Sequence, residues 1–136
     1  MAFLNSSMVQ SEIGATPFRV THNNGRHVFY GDEPANLGGG DTAPMPDELL
    51  EAALATCTLV TLRMYTTHKQ WQVGTIQVEV ALERTPERTT ITRSLQFQQP
   101  LEPSQLERLI QVAKACPVSK TLAGNNEMIV DIKSAS

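Results

Sequence analysis

The sequence predicts an α+β domain, in which two helices are grouped among antiparallel strands. Three observations lead to this class: a long alanine- and leucine-rich helical pattern from Pro46, two segments of period-two alternation after Trp71, and a second amphipathic helical pattern from Pro103. The 136 residues, 40% of them hydrophobic and 18% charged, suffice for one domain with its own core. We therefore predict a single domain over residues 1–136, with residues 1–12 as a flexible N-terminus.

The N-terminal part predicts a β-hairpin and then a connecting loop. Residues 13–20 and 26–30 alternate loosely in polarity around an Asn-Asn-Gly sequence at 23–25, which tolerates the positive φ of a tight turn. From Gly31 to Pro46 the composition changes to Gly, Pro, Asp and Asn, which is typical of a flexible connection.

The strongest helical pattern starts at Pro46 and continues to about Thr67. Asp47 and Glu48 lie in the first turn, where carboxylates complement the helix dipole. Apolar and small residues follow at helical spacing on two adjacent stripes, so we expect this helix to be largely buried. The first stripe consists of Leu50, Leu54, Cys57 and Thr61, and the second of Leu49, Ala53, Thr56 and Val60.

The C-terminal half predicts an antiparallel strand pair and then helical structure. The strands cover residues 73–82 and 90–97, with a turn at 86–88. The amphipathic helix from Pro103 ends just before Cys116, because the residue before a proline is pushed out of helical geometry. A short helix and a final strand, residues 128–132, complete the chain.

The chain has two cysteines, Cys57 and Cys116, and this pair is where we expect the chemistry. Their separation excludes a C-x-x-C motif, and a structural zinc site needs about four ligands, whereas three scattered histidines accompany the cysteines. We therefore predict no structural metal site. Cysteine count alone leaves two interpretations open, a redox pair and two buried, inert thiols.

Charge and hydropathy exclude several classes of partner. A net charge of −3 without a clustered Lys/Arg run argues against nucleic acid and against an anionic membrane surface. No run approaches the roughly 18 apolar residues of a membrane span, and the N-terminus lacks the pattern of a signal peptide. We expect a cytoplasmic protein whose partner is a small molecule or another protein.

Two blocks of sequence resemble the OsmC/Ohr superfamily. They are residues 46–57, Pro-Asp-Glu-Leu-Leu-Glu-Ala-Ala-Leu-Ala-Thr-Cys, and residues 116–122, Cys-Pro-Val-Ser-Lys-Thr-Leu, and the resemblance spans roughly residues 16–133. It implies an intertwined α+β homodimer, with antiparallel sheets around a long buried central helix and a second helix. It also implies a thiol-dependent peroxidase that reduces organic hydroperoxides, without a metal or bound organic cofactor.

The resemblance assigns a role to each cysteine. Cys57 is the peroxidatic thiolate, which attacks the hydroperoxide and becomes a sulfenic acid. Cys116 then resolves it as a Cys57–Cys116 disulfide, which an external dithiol reduces. Because burial raises the pKa of a thiol, the thiolate needs a nearby cation.

The family supplies that cation as an arginine from the N-terminal part, held by a carboxylate ten residues before the peroxidatic cysteine. That position is Asp47 here, where the family usually has glutamate, and the adjacent Glu48 is the alternative. Arg19 on the predicted first strand is our first choice for the arginine. Arg26 is the second, and Arg63 is a weaker candidate.

Helix geometry constrains this site further. Asp47 and Cys57 are about 15 Å apart along a straight helix and on different faces, so they cannot touch within one helix. Our hypothesis is that the carboxylate, the arginine or both come from a partner subunit, in a site that spans a dimer.

Two rival classes of function remain open. One is a non-enzymatic redox-sensing or small-molecule-binding protein without an activating arginine, and the other is a structural protein whose cysteines merely pack.

Overall fold

The computed structural model describes residues 6–133, which divide after Ala52 into two compact units. The first unit holds a three-stranded sheet and the second a two-stranded sheet, and all strand pairs in both are antiparallel. Three α-helices accompany these sheets, which confirms the predicted α+β class. Each unit is described by itself below.

Three strands form the sheet of the first unit: β1 (Gln10–Ile13), β2 (Val20–Asn23) and β3 (Val28–Gly31). The predicted hairpin turn is present between β2 and β3, with Gly25 at a φ of 92°. The predicted first strand, residues 13–20, is wrong over residues 14–19, which include Arg19 and connect β1 to β2 outside any strand. The sequence did not predict β1. Residues 10–12, expected to be part of a flexible N-terminus, form this edge strand, and residues 1–5 of that predicted segment lie outside the described residues.

The connection after β3 is held together by Asp32, whose side chain is 3% exposed. Its carboxylate accepts hydrogen bonds from the hydroxyl and the backbone N–H of Thr42, at 2.5 and 3.0 Å, and from the N–H of Glu33 at 2.8 Å. These bonds, the Thr42 hydroxyl first, lower the pKa of Asp32 to about 2 although burial opposes the shift. A short 3-10 helix, Ala35–Leu37, lies within this segment.

Helix α1 runs from Pro46 to Lys69, close to the predicted limits. Its buried residues recur at every fourth position and are Leu54, Thr58, Leu62 and Thr66. The first predicted stripe is buried or half-buried, whereas Ala53, Thr56 and Val60 of the second are exposed, so the prediction of a largely buried helix is wrong for that side of the single chain. Thr58 can be buried because a threonine hydroxyl can bond back to its own helix, as it does here to the carbonyl of Leu54 at 2.7 Å. Val60 and Met64 remain 47% and 68% exposed in this chain.

The remaining elements of the second unit are β4 (Ile76–Arg84), β5 (Thr89–Phe97), α2 (Pro103–Lys114) and α3 (Pro117–Ala123). Leu62, Leu109 and Ala113 form the centre of the core. The apolar residues packed around this centre are Tyr65, Trp71, Ile76, Leu95, Phe97, Leu101 and Val112.

The final predicted strand is absent from the described chain. Residues 128–132 form no strand, and their apolar side chains are exposed, Val130 at 92% and Ile132 at 93%. A period-two pattern indicates a strand only where a second strand edge is available for pairing, and this segment pairs with none in the single chain.

Candidate active site

Cys57 of α1 and Cys116, between α2 and α3, lie side by side in the second unit. Both are reduced thiols and they hydrogen-bond to each other. The backbone N–H of Val118 donates to the sulfur of Cys57 at 3.5 Å. Cys116 is completely buried, whereas Cys57 is partly exposed. The fold thus brings together two thiols that are 59 residues apart in the sequence.

The position of Cys116 follows from the proline after it. Cys116 has extended backbone angles, φ −65° and ψ 144°, and Pro117 begins α3, as the sequence predicts. This break turns the chain so that the N–H of Ser119 donates to the sulfur of Cys116. The preceding helix is anchored by buried Leu109 and Ala113, which fixes the position of the break.

Arg93 of β5 supplies a cation to this site. One of its guanidinium nitrogens, Nη1, lies 3.8 Å from the sulfur of Cys116 and donates at 3.0 Å to both the hydroxyl of Thr58 and the carbonyl of Ala113. The other, Nη2, donates at 3.0 Å to the hydroxyl of Ser119. Contacts in several directions leave the guanidinium little freedom, so the charge is held at the sulfur.

These contacts favour the thiolate form of Cys116. Burial alone raises the pKa of a thiol and is the largest single influence here. It is outweighed by hydrogen bonds from Ser119, Cys57 and Thr58 together with the positive charge of Arg93, so the pKa of Cys116 is lowered.

Cys57 has the opposite tendency. Burial, first, and the adjacent sulfur of Cys116 raise the pKa of Cys57, against hydrogen bonds from the N–H of Val118 and from the side chain of Thr61 that lower it. The favoured proton arrangement is therefore a Cys57 thiol that donates its S–H to the sulfur of Cys116.

The sequence analysis missed Arg93, although the sequence carries a signal for it. Along β5 the half-buried positions alternate with exposed ones and are Ile91, Arg93, Leu95 and Phe97. A strand places every second side chain on the same face, so the alternation puts one cation on an otherwise apolar face. A charge in that position requires a partner inside the fold.

The arginine predicted from the resemblance has partners within the first unit. Arg19 donates to the hydroxyl of Thr42 at 2.6 Å, and its guanidinium lies 4.3 Å from the centre of the Tyr30 ring. Arg19 as the activating cation stays a prediction. Of the other two candidates, Arg26 lies in the β2–β3 turn, and Arg63 donates to the carbonyl of Gly74 at 2.6 Å.

The two candidate carboxylates lie in the first turn of α1, also in the first unit. The carboxylate of Glu48 accepts the N–H of Met45 at 2.9 Å, which stabilises the start of the helix. Asp47 is adjacent to it in the same turn. The role of either carboxylate in holding an arginine is untested and stays a prediction.

Residues 6–133 contain no group of three or more His, Cys, Asp and Glu side chains arranged for a metal ion. None of the helices within this range combines the length and the apolar character needed to cross a membrane.

An α+β fold that pairs two thiols beside a fixed guanidinium defines a two-cysteine protein of the OsmC type. The chain belongs to the OsmC-like protein family, whose model matches residues 38–131. No curated protein matches the chain significantly.

Three solved structures illustrate the likeness in fold. A protein named for the osmotic stress and detoxification response, from Psychrobacter arcticus, has a TM-score of 0.73 at 18% identity, over 89% of this chain and 91% of that one. The organic hydroperoxide resistance protein OsmC of Legionella pneumophila has a TM-score of 0.65 at 24% identity, over 91% and 93%. The organic hydroperoxide resistance protein OhrB of Bacillus subtilis has a TM-score of 0.64 at 22% identity, over 90% and 94%.

Proposed function

We propose that this protein is a thiol-dependent peroxidase that reduces organic hydroperoxides to alcohols. The observation that carries the proposal is the paired site, in which Cys57 and Cys116 are hydrogen-bonded and Arg93 lies 3.8 Å from the sulfur of Cys116. One sulfur is partly exposed and the other is buried with a cation, so the two have distinct roles. Family membership, and relatives named for organic hydroperoxide resistance, support the same class of reaction.

The oxidising step uses both sulfurs. Cys57 transfers its proton to the Cys116 thiolate and attacks the terminal oxygen of ROOH, which breaks the O–O bond and forms Cys57–SOH. The departing alkoxide takes the proton from Cys116 and leaves as ROH. Cys116 is again a thiolate, and Arg93 stabilises its charge in the absence of the proton.

The resolving step takes place between the same two sulfurs, those of Cys57 and Cys116. The Cys116 thiolate attacks the sulfur of Cys57–SOH, forms the S–S bond and releases hydroxide. An external dithiol then supplies two electrons to restore both thiols. This cycle fits the cytoplasm, where cellular reductants keep thiols reduced, and it needs neither a metal nor a bound organic cofactor.

The proposed assembly is an intertwined homodimer. Val60 and Met64 on α1, and the unpaired residues 128–132, leave apolar surface exposed in the single chain. In such a dimer, Arg19 with Asp47 or Glu48 is the candidate second source of charge at Cys57. Sedimentation equilibrium combined with activity measured at decreasing protein concentration tests this assignment, and a monomer with full peroxidase activity would exclude a site shared between subunits.

One observation favours a second candidate, a redox-sensing protein without peroxidase turnover. The raised pKa of Cys57 makes this thiol a slow nucleophile unless a neighbouring group accepts its proton. A sensor would form the Cys57–Cys116 disulfide when treated with peroxide, but on a timescale too slow for catalysis. The rate of hydroperoxide consumption separates this candidate from an enzyme.

The test of the main proposal is consumption of cumene hydroperoxide and of hydrogen peroxide with a dithiol reductant. Wild type is expected to prefer the organic substrate, because Cys57 lies on an alanine- and leucine-rich helix. Cys57→Ser should abolish turnover, and Cys116→Ser should slow the first oxidation and form no intramolecular disulfide. A folded wild type that shows no turnover with several dithiols, or an active Cys57→Ser variant, would contradict the proposal.

A further inference from the structure

The two sulfurs of the site differ in access to solvent. Cys116 is 0% exposed, and its surroundings are filled by Thr58, Ser119 and the guanidinium of Arg93. Cys57 is partly exposed, and its sulfur accepts the backbone N–H of Val118. In a disulfide between them, an external thiol therefore meets the sulfur of Cys57 first.

The two sulfurs also differ as leaving groups. Thiol–disulfide exchange is faster when the departing sulfur is the more stable thiolate. Arg93 lies 3.8 Å from the sulfur of Cys116 and is fixed there by the Ala113 carbonyl and the Ser119 hydroxyl. Negative charge that develops on Cys116 as the S–S bond breaks is stabilised by a cation already in position.

We propose that the site gives disulfide reduction a fixed direction: the reductant attacks Cys57, and Cys116 leaves as a thiolate stabilised by Arg93. The inference rests on the proposed function for the disulfide and adds the point of attack of the reducing partner. That partner is a small dithiol or an exposed protein dithiol that needs to reach one sulfur only.

The electron balance of the reduction is complete. The thiolate of the dithiol forms a bond to Cys57, while the Cys57–Cys116 bond breaks and its electron pair goes to Cys116. The second thiol of the dithiol, after losing its proton, attacks the mixed disulfide and displaces Cys57, which takes up a proton. The dithiol is oxidised to a cyclic disulfide, and the protein regains Cys57–SH and Cys116–S⁻.

The experiment starts from protein oxidised with diamide, which forms the disulfide without any peroxide. The disulfide is exposed briefly to 2-mercaptoethanol, quenched with acid, alkylated with N-ethylmaleimide and analysed by peptide mass spectrometry. The expected product carries mercaptoethanol on Cys57 and maleimide on Cys116. Mercaptoethanol mainly on Cys116, or equally on both cysteines, would overturn the proposal.

A rate measurement tests the role of Arg93. Arg93→Gln is expected to slow reduction of the disulfide about tenfold, because a hydrogen bond to a charged group is lost as the charge forms. Arg93→Lys, which keeps a cation, should recover part of the rate. Arg88→Gln, in the exposed β4–β5 turn, makes the same change in net charge and is the matched control.

The outcomes separate this inference from the proposed function. Equal reduction rates in Arg93→Gln and Arg88→Gln overturn the role of Arg93, whether or not the protein consumes peroxide. If the disulfide is reduced by attack at Cys57 but the protein shows no hydroperoxide turnover, the proposed function alone is contradicted. Failure of diamide to form the Cys57–Cys116 disulfide contradicts both.

Discussion

The guanidinium of Arg93 lies 3.8 Å from the sulfur of Cys116, at the end of a side chain that points from β5 toward the break between α2 and α3. The same guanidinium bonds to a helix residue, a backbone carbonyl and a serine hydroxyl. The charge of the buried thiol is thus controlled by a strand that contains no cysteine.

Arg93→Gln is expected to raise the pKa of Cys116, because the positive charge that opposes the effect of burial is removed. The titration is followed by ultraviolet thiolate absorbance in a Cys57→Ser background, so that Cys116 is the titrating cysteine. Arg88→Gln serves as the control of equal charge change. Superimposable titration curves for the two arginine variants would contradict the electrostatic role of Arg93.

Thr58→Val is expected to destabilise the fold by about 1–3 kcal/mol, because Arg93 loses a buried acceptor without a change in side-chain shape. Thr66→Val is the matched control, since Thr66 is equally buried on α1 and its hydroxyl bonds back to the carbonyl of Arg63. Urea denaturation measures both. A larger loss of stability in Thr66→Val would contradict a specific stabilising role for the hydrogen bond between Arg93 and Thr58.

Leu62→Ala is expected to cost about 2–5 kcal/mol, because Leu62 is fully buried at the centre of the core and its removal leaves a cavity. Val60→Ala on the same helix is expected to cost less, since Val60 is 47% exposed. The measurement is the denaturant midpoint of each variant. Similar losses in both would show that α1 buries a different face in solution.

Asp32 gives the N-terminal unit a specific acid sensitivity. The pKa of Asp32 is lowered from 3.8 to about 2, so its carboxylate stabilises the fold fully above pH 3.8. This contribution is lost as the pH falls toward about 2. Asp32→Asn should therefore show a weaker decline of stability across that interval than wild type. Asp131→Asn, in the exposed C-terminal segment, is the control, and an unchanged acid profile in Asp32→Asn would contradict the assignment.

The helix that carries Cys57 and the backbone break at Cys116 could be predicted from the sequence, because their signals are local. Helix α1 follows from its composition and its first-turn carboxylates, and the position of Cys116 follows from Pro117. The pairing of the two cysteines was predicted from a resemblance and not from spacing. Local patterns do not encode which elements pack together.

The missed features depend on tertiary packing. Arg93 was overlooked because the resemblance implies a cation from the N-terminal part, while the alternation of buried and exposed positions along β5 carried the signal. Thr58 was overlooked because the predicted stripe continues from Leu54 to Cys57, whereas the buried face continues from Leu54 to Thr58, whose hydroxyl is satisfied within its own helix. The prediction of a final strand was wrong, because residues 128–132 pair with no strand edge in the single chain.

The cation and the two sulfurs come from a strand, a helix and an interhelical break that lie far apart in sequence. A nascent or partly folded chain therefore carries two ordinary thiols, distant from each other and from Arg93. The special chemistry of Cys116 emerges when β5 docks. Thiolate titration of Cys116 therefore reports whether β5 has packed against the break between α2 and α3.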